Sequence, residues 1–146
     1  MSIDSRIRWL KFAAAVTVAT GLTIAVAAVP VLAAPAEMLV ALVVPGADAV
    51  HPLGTPTART LAAVSGGVLV GWGVVLWMIA DSILGTNPRL ASRLVVASIV
   101  SWFAVDSAMS IAAGAWPNVI LNCGFLVLFL PPVLGASEPA LHAEGR

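Results

Sequence analysis

The sequence predicts an all-α integral membrane protein, a four-helix bundle with a short external interfacial segment between its first two helices. Of the 146 residues, 60% are hydrophobic and 10% are charged, whereas roughly a quarter of the residues in a soluble domain are charged. Several uncharged runs approach the length of about 20 residues that a helix needs to cross a bilayer. No alternating strand pattern appears, so a helical bundle is favoured over a barrel.

A single membrane domain over residues 1–146 is expected to contain four spans, at about 10–29, 60–80, 90–113 and 118–134. The first span follows the anchor residues Trp9 and Lys11 and should end near Val29, because Pro30 interrupts a helix. Its basic start, its apolar stretch and the small residues of Val31–Ala34 also resemble a signal peptide, so cleavage of this span is the alternative.

The segment between the first and second spans contains an apolar run, Met38–Val44, that is too short to cross a membrane. We expect a short helix in the outer interface, with Glu37 near its positive N-terminal end. An apolar loop is the alternative. In the next connection, Asn87 as N-cap and Pro88 at the first helical position predict the start of the third helix.

A tight turn at Gly114 and Pro117 predicts that the third and fourth helices form an antiparallel hairpin. The tail from Pro131 onward, including Ser137–Arg146, is expected to be frayed.

The distribution of basic residues predicts the orientation in the membrane. Six basic residues precede the first span, lie in the second connection or end the chain: Arg6, Arg8, Lys11, Arg89, Arg93 and Arg146. Only Arg59 falls on the other side. By the positive-inside rule, both termini are cytoplasmic. We therefore expect a multi-pass protein of a bacterial inner membrane.

Asp106 is the first candidate for function, because it is the sole charge in the stretch Leu94–Ala113. An acid at that depth costs about 3 kcal/mol and usually faces a partner or a cavity. A spacing of four residues places it on one helix face with Ser98, Trp102 and Ser110. The same spacing relates two asparagines of the fourth helix. We predict an interhelical polar network, which either joins the helices or binds a ligand, composed of Asp106, Ser110, Asn118 and Asn122.

Arg59 is the basic residue on the same side as this network. One hypothesis is that it reaches inward and forms a proton-sensitive pair with Asp106, which would line an outward-facing pocket. Gly66, at a similar depth, would leave room for a small ligand.

Four glycines of the second helix are expected to serve helix packing: Gly66, Gly67, Gly71 and Gly73. Gly67 and Gly71 form a pair of small residues four apart, which lets two helix backbones approach closely. This pair is interpreted as packing within the chain, as a homodimer face or as space for a ligand.

No cofactor, metal site or nucleic-acid partner is expected. His51 and His142 are predicted on opposite sides of the membrane, so they cannot bracket one haem iron or share a metal. Cys123 is the single cysteine. Neither a glycine-flanked serine elbow nor a phosphate-binding loop occurs, so enzymatic activity is not expected, although the sequence leaves it undecided.

The stretch from Arg59 to Leu134 resembles small four-helix bacterial inner-membrane proteins of the DoxX-like class. The residues that carry the resemblance are Arg59, Gly66, Gly67, Gly71, Trp72, Gly73, Trp102, Phe103, Asp106, Ser107, Gly114, Asn118 and Asn122. The resemblance implies a link to quinone-dependent redox systems.

Three functions are consistent with these features. The leading one is a non-enzymatic membrane protein that binds a small apolar or amphipathic molecule, or acts as an accessory subunit of a membrane complex. The second is a proton-coupled transporter that works as a homodimer, with Asp106 as the proton carrier. The third, a quinone-linked oxidoreductase partner, follows from the resemblance.

Overall fold

The computed structural model describes residues 1–44 and 52–134, and all regular secondary structure in these two ranges is helical. The predicted all-α class is therefore confirmed. The described part has six α-helices rather than four, because the external segment forms a helix and the last predicted span is broken. They are α1 (Ile3–Ala25), α2 (Ala34–Val43), α3 (Pro56–Met78), α4 (Pro88–Ala112), α5 (Pro117–Phe129) and α6 (Pro131–Leu134).

Three helical stretches are long and apolar enough to cross a membrane: Ile3–Ala28, Pro56–Ile83 and Pro88–Ala112. They correspond to the first three predicted spans, but α1 begins earlier than expected. The backbone N–H of Ser5 donates to Ser2 Oγ at 3.3 Å, and Asp4 lies in the first turn. An N-cap serine and an acid near the N-terminus both stabilise a helix start, so α1 includes the basic residues before the span.

The fourth predicted span is divided between α5 and α6. The 13 residues of α5 extend about 20 Å, which is less than the roughly 30 Å of hydrocarbon in a bilayer. Pro131 and Pro132 follow, and neither has a backbone N–H to continue the helical hydrogen bonds of α5. The short helix α6 then resumes at Pro131, and Pro132 and Val133 are buried. The prediction of a frayed tail is therefore wrong for Pro131–Leu134.

The segment between α1 and α3 contains the predicted short helix. It extends over Ala34–Val43, with Glu37 in its first turn, so the alternative of an apolar loop is wrong for these residues. Before it, the helical structure of α1 continues as a 3₁₀ turn to Ala28 and stops ahead of Pro30. The predictions for His51 and for Ser137–Arg146, which includes His142, lie outside the described residues.

Helices α1 and α3 are antiparallel and pack with their backbones in close approach. A Cβ atom on Gly21 would lie 2.7 Å from the carbonyl oxygen of Gly66, and one on Gly73 would lie 3.0 Å from that of Ala14. By contrast, a Cβ atom on Gly67 or Gly71 would meet nothing within 4 Å. Packing within the chain therefore uses Gly66 and Gly73. The prediction that Gly67 and Gly71 also pack against another helix of the chain is wrong.

One end of the α1–α3 pair is fixed by an ion pair. Beyond Met78, α3 continues as a π-helical turn over Ile79–Ile83, in which the N–H of Leu84 donates to the carbonyl of Ile79 at 2.9 Å. Within this turn, Asp81 pairs with Lys11 Nζ at 2.5 Å. The N-terminus of α1 and the C-terminus of α3 therefore lie at the same end of the fold.

The turn between α4 and α5 brings these helices together as the predicted antiparallel hairpin. Gly114 has φ +78°, a left-handed conformation that glycine adopts without steric cost. It allows the N–H of Ala115 to donate to the carbonyl of Ser110 at 2.8 Å and its own N–H to donate to that of Ile111 at 3.0 Å. This is a Schellman C-cap. Asn87 caps the other end of α4, as predicted, and accepts from the N–H of Leu90 at 3.0 Å.

The main core joins side chains from α1, α3, α4, α5 and α6. Its buried members include Leu10, Leu76, Val95, Ile99, Phe129 and Val133. Next to them, Trp72 lies with its ring centroid 5.6 Å from that of Trp102 and 5.7 Å from that of Phe129. A second cluster of buried alanines lies at the opposite end: Ala27, Ala33, Ala36 and Ala62. The polar cluster between α4 and α5 described next is positioned by this core.

Candidate functional site

Asp106 lies on α4 and faces α5, where two asparagines contact its carboxylate. Asn118 Nδ2 donates to Asp106 Oδ2 at 2.8 Å. Asn122 Nδ2 donates to the same oxygen at 2.6 Å. The structure thus places three of the sequence-predicted residues in direct hydrogen-bond contact.

Two serines of α4 complete the cluster. Asn118 Nδ2 also donates to Ser110 Oγ at 2.9 Å, and Asn122 Nδ2 also donates to Ser107 Oγ at 3.0 Å. An amide nitrogen has two N–H groups, so each asparagine uses both of its donors here. We call Asp106, Ser107, Ser110, Asn118 and Asn122 the Asp106 cluster.

Ser107 is the member that the sequence prediction missed. The prediction followed a spacing of four residues along α4, which leads from Asp106 to Ser110 and passes over Ser107. Ser107 lies one position after the acid and three before Ser110, and residues three apart also share a helix face. It is buried, with 7% of its surface exposed.

The predicted polar face of α4 divides into two parts. Its outer part, Asp106 and Ser110, belongs to the cluster. Its inner part contacts α3, because Trp72 Nε1 donates to Ser98 Oγ at 2.7 Å. Trp102 contacts Trp72 and Phe125 through its ring. Ser98 and Trp102 therefore serve the packing of α3, α4 and α5.

Arg59 does not pair with Asp106, so the hypothesis of a proton-sensitive pair is wrong in this structure. Arg59 Nη1 donates to the carbonyl oxygen of Gly54 at 3.1 Å, close to the N-terminus of its own helix. In residues 1–44 and 52–134, the ion pair between Lys11 and Asp81 is the sole one, and it lies at the other end of the fold. The Asp106 carboxylate is thus held by neutral donors.

Gly66 also departs from its predicted role at this site. A Cβ atom added to it would collide with the carbonyl oxygen of Gly21 and the backbone nitrogen of Ala25. The space beside Gly66 is therefore filled by α1. The structure leaves no room for a ligand there.

The Asp106 cluster keeps unused acceptor oxygens. Both hydrogen bonds to the carboxylate end on Oδ2, and no described donor contacts Oδ1. The side-chain oxygens of Asn118 and Asn122 also accept no hydrogen bond from the described residues. Asn122 is buried at 3% exposure, whereas Asp106 and Asn118 are only half-buried. The arrangement can thus accept hydrogen bonds from a molecule that reaches Asp106.

The described ranges contain no group of side chains that could hold a metal ion. No three histidine, cysteine, aspartate or glutamate side chains lie together there. Cys123 has a free, exposed thiol on α5.

Comparisons with known proteins identify no relative. No protein-family model, curated protein or solved structure matches this chain. The resemblance to the DoxX-like class, with the quinone link it implies, therefore stays a prediction from the motifs.

Proposed function

We propose that this chain is a multi-pass protein of a bacterial inner membrane, and that its Asp106 cluster binds a small amphipathic molecule. Both termini would face the cytoplasm. The observation that carries the proposal is the second carboxylate oxygen of Asp106, which has no donor among the described residues while the first has two. The role is binding, without a chemical step.

Membrane insertion is supported by the three long apolar helices and by the apolar side chains on their surfaces. In a soluble protein, such an extensive apolar surface would cause aggregation. The exposed apolar residues of α3 illustrate it: Leu61, Val64, Val68, Val74, Val75, Trp77 and Met78. Lipid is the expected neighbour of these faces.

The ligand chemistry follows from the acceptors and their surroundings. Asp106 Oδ1 requires a donor, such as a hydroxyl, an amide or an amine, and an amine would also balance the negative charge. Met109 follows Asp106 by three residues, so it flanks the acid on the helix surface, and it is 61% exposed. A molecule with a polar donor group and an apolar body would therefore satisfy both features.

The first test is native mass spectrometry of the detergent-purified protein. We expect the wild type to retain a small molecule that the Asp106→Asn variant loses, because an amide at this position removes the charge and one acceptor. Ser98→Ala is the matched control. Ser98 lies on the same helix as Asp106 but outside the Asp106 cluster, and the change removes a hydrogen bond from Trp72, so this variant should keep the ligand.

Two results would contradict the proposal. One is a folded wild type that is empty, and the other is equal retention by the wild type and Asp106→Asn. In either case the Asp106 cluster would be a structural link between α4 and α5, and an accessory subunit of a larger membrane complex would become the better interpretation. Stable association with a redox complex would favour the quinone-linked alternative.

A proton-coupled transporter that works as a homodimer is the second candidate. Gly67 and Gly71 favour it, since they are exposed and have open space in front of them. A second copy of α3 could approach closely at such a face. This candidate requires the same spectra to show a dimer, and Asp106→Asn to abolish proton uptake by vesicles that contain the protein. A monomeric wild type would exclude it.

A further inference from the structure

The break between α5 and α6 leaves backbone carbonyl groups without their helical donors. In a continuous helix, residue 132 would donate its N–H to the carbonyl of Leu128. Pro132 has no N–H. Instead, Trp9 Nε1 from α1 donates to the Leu128 oxygen at 2.8 Å. The indole therefore replaces the hydrogen bond that the proline removes.

Two further side chains hold the carbonyls of α6. Arg6 Nε donates to the oxygen of Pro132 at 2.6 Å. Ser92 Oγ, from the first turns of α4, donates to the oxygen of Val133 at 2.7 Å. The N-terminal ends of α1 and α4 and the whole of α6 thus meet at the end of the fold that also contains the Lys11–Asp81 ion pair.

Arg6 is fixed there with part of its guanidinium unsatisfied. The residue is 8% exposed, yet its Nη2 atom is enclosed and has no hydrogen-bond partner. Within residues 1–44 and 52–134, no other enclosed side-chain nitrogen or oxygen lacks one. No carboxylate among the described residues pairs with Arg6, and a buried charge without a counter-charge is strongly unfavourable. A counter-ion that reaches the accessible part of the guanidinium would relieve this cost.

The charge around Arg6 determines the kind of acceptor. Arg8, Arg89 and Arg93 are exposed at the same end of the fold. Of the acids in the described residues there, Asp81 already pairs with Lys11, and Asp4 is exposed in the first turn of α1. The excess of positive charge favours an anion. A guanidinium N–H forms a strong, charge-assisted hydrogen bond with a phosphate oxygen.

The surface next to Arg6 favours an anion that is attached to an apolar body. Trp9 follows Arg6 by three residues on α1 and is 43% exposed. Phe12, a further turn along α1, is also exposed. A tryptophan at the level of the headgroups is typical of the membrane interface, and basic sites between membrane helices bind anionic headgroups. A free phosphate ion would leave these aromatic surfaces uncovered.

We propose that Arg6 forms a binding site for the phosphate of an anionic phospholipid. The phosphate contacts Nη1, the terminal nitrogen that the chain does not enclose, while Nε remains on the Pro132 carbonyl. The acyl chains lie along the exposed surface of α1 beside Trp9 and Phe12. The lipid thereby covers the junction of α1, α4 and α6.

The test compares lipid retention by the full chain and two variants. Each protein is reconstituted into vesicles of phosphatidylcholine and phosphatidylglycerol in equal parts, extracted gently and analysed by native mass spectrometry. The wild type should retain phosphatidylglycerol preferentially. Arg6→Gln should lower the bound fraction roughly tenfold, the size expected when a charge-assisted contact is removed. Arg8→Gln is the matched control, since Arg8 is exposed on the same helix and donates only to Ser5 Oγ.

Three outcomes would overturn the proposal. Equal losses in Arg6→Gln and Arg8→Gln would indicate general electrostatic attraction, without a defined site. If the wild type showed no preference for phosphatidylglycerol over phosphatidylcholine, that result alone would overturn the proposal. It requires no variant, so it holds even if Arg6→Gln fails to fold. If inorganic phosphate raised the unfolding temperature of the wild type as much as phosphatidylglycerol does, the site would belong to free phosphate.

Discussion

At the residue scale, Asn122 is the most constrained member of the Asp106 cluster. It is buried at 3% exposure and donates to both Asp106 and Ser107. Each of these hydrogen bonds crosses from α5 to α4. A carboxylate at position 122 would repel the carboxylate of Asp106. An apolar side chain there would leave Asp106 Oδ2 with one hydrogen-bond donor fewer. An amide satisfies both requirements.

Asn122→Ala should therefore destabilise the protein. Hydrogen bonds between membrane helices contribute about 0.6 kcal/mol each on average, so the loss of two of them should cost about 1 kcal/mol, and the cavity should add to it. Thermal unfolding in detergent, followed by circular dichroism, measures the change. Asn118→Ala is the control, because Asn118 also makes two hydrogen bonds but is less buried. If Asn118→Ala lost more stability than Asn122→Ala, burial would not be what makes Asn122 the more important of the two residues.

The meeting of Asp106 with Asn118 and Asn122 could be anticipated from spacing alone, since a hairpin with a known turn fixes which residues share a depth. The position of Arg59 could not. A long side chain can reach several acceptors, and spacing does not indicate which of them is nearest. Here the carbonyl of Gly54, at the N-terminal end of the same helix, takes the guanidinium.

At the scale of elements, the contact between α1 and α3 depends on glycines that let the two backbones approach. Gly21 and Gly66 face one another at the middle of the pair. The sequence predicted small-residue packing for α3, but it assigned the role partly to Gly67 and Gly71. Neighbouring residues on a helix point in directions about 100° apart, so the partner helix decides which glycine is used. The register between α1 and α3 is a tertiary property.

Gly66→Ala and Gly67→Ala should therefore behave differently. The methyl group on residue 66 would collide with the backbone of Gly21 and Ala25, and a helix backbone moves only at a cost, so we expect a loss of about 1–3 kcal/mol. On residue 67 it would enter open space, and no loss is expected. Unfolding measurements on the two variants in the same detergent make the comparison. Equal stability would mean that the close contact between α1 and α3 is absent.

At the scale of the whole molecule, the ends of the fold differ in charge. Contacts of Arg6, Lys11 and Ser92 bring four parts of the fold together at one end. These parts are the N-terminal ends of α1 and α4, the C-terminal end of α3, and the whole of α6. This end carries most of the basic residues in the described part. The opposite end carries Arg59 and the turn between α4 and α5. Such an asymmetry determines orientation in a membrane.

This asymmetry predicts which connections reach the outside of the cell. In a Cys123→Ser background, Thr57→Cys near the start of α3 should react with a membrane-impermeant maleimide in intact cells. Thr86→Cys, in the connection between α3 and α4, should react only after the membrane is opened. Both threonines are exposed in the structure, so access to the side chain is not limiting. The reverse pattern would show that the orientation is wrong.

The hydrogen bond from Arg6 to Pro132 joins residues 126 positions apart. During synthesis, α1 leaves the ribosome long before α6 exists, so the hydrogen bonds of Arg6 and Trp9 to their carbonyl partners cannot form until the end of the chain has been made. Helices α1 and α3 need no such delay, because their glycines can pair as soon as both have been made. Assembly therefore has a natural order, in which the α1–α3 pair forms early and the junction of Arg6, Trp9 and α6 closes last. A chain that terminates before residue 128 would lack every carbonyl to which Trp9 and Arg6 donate.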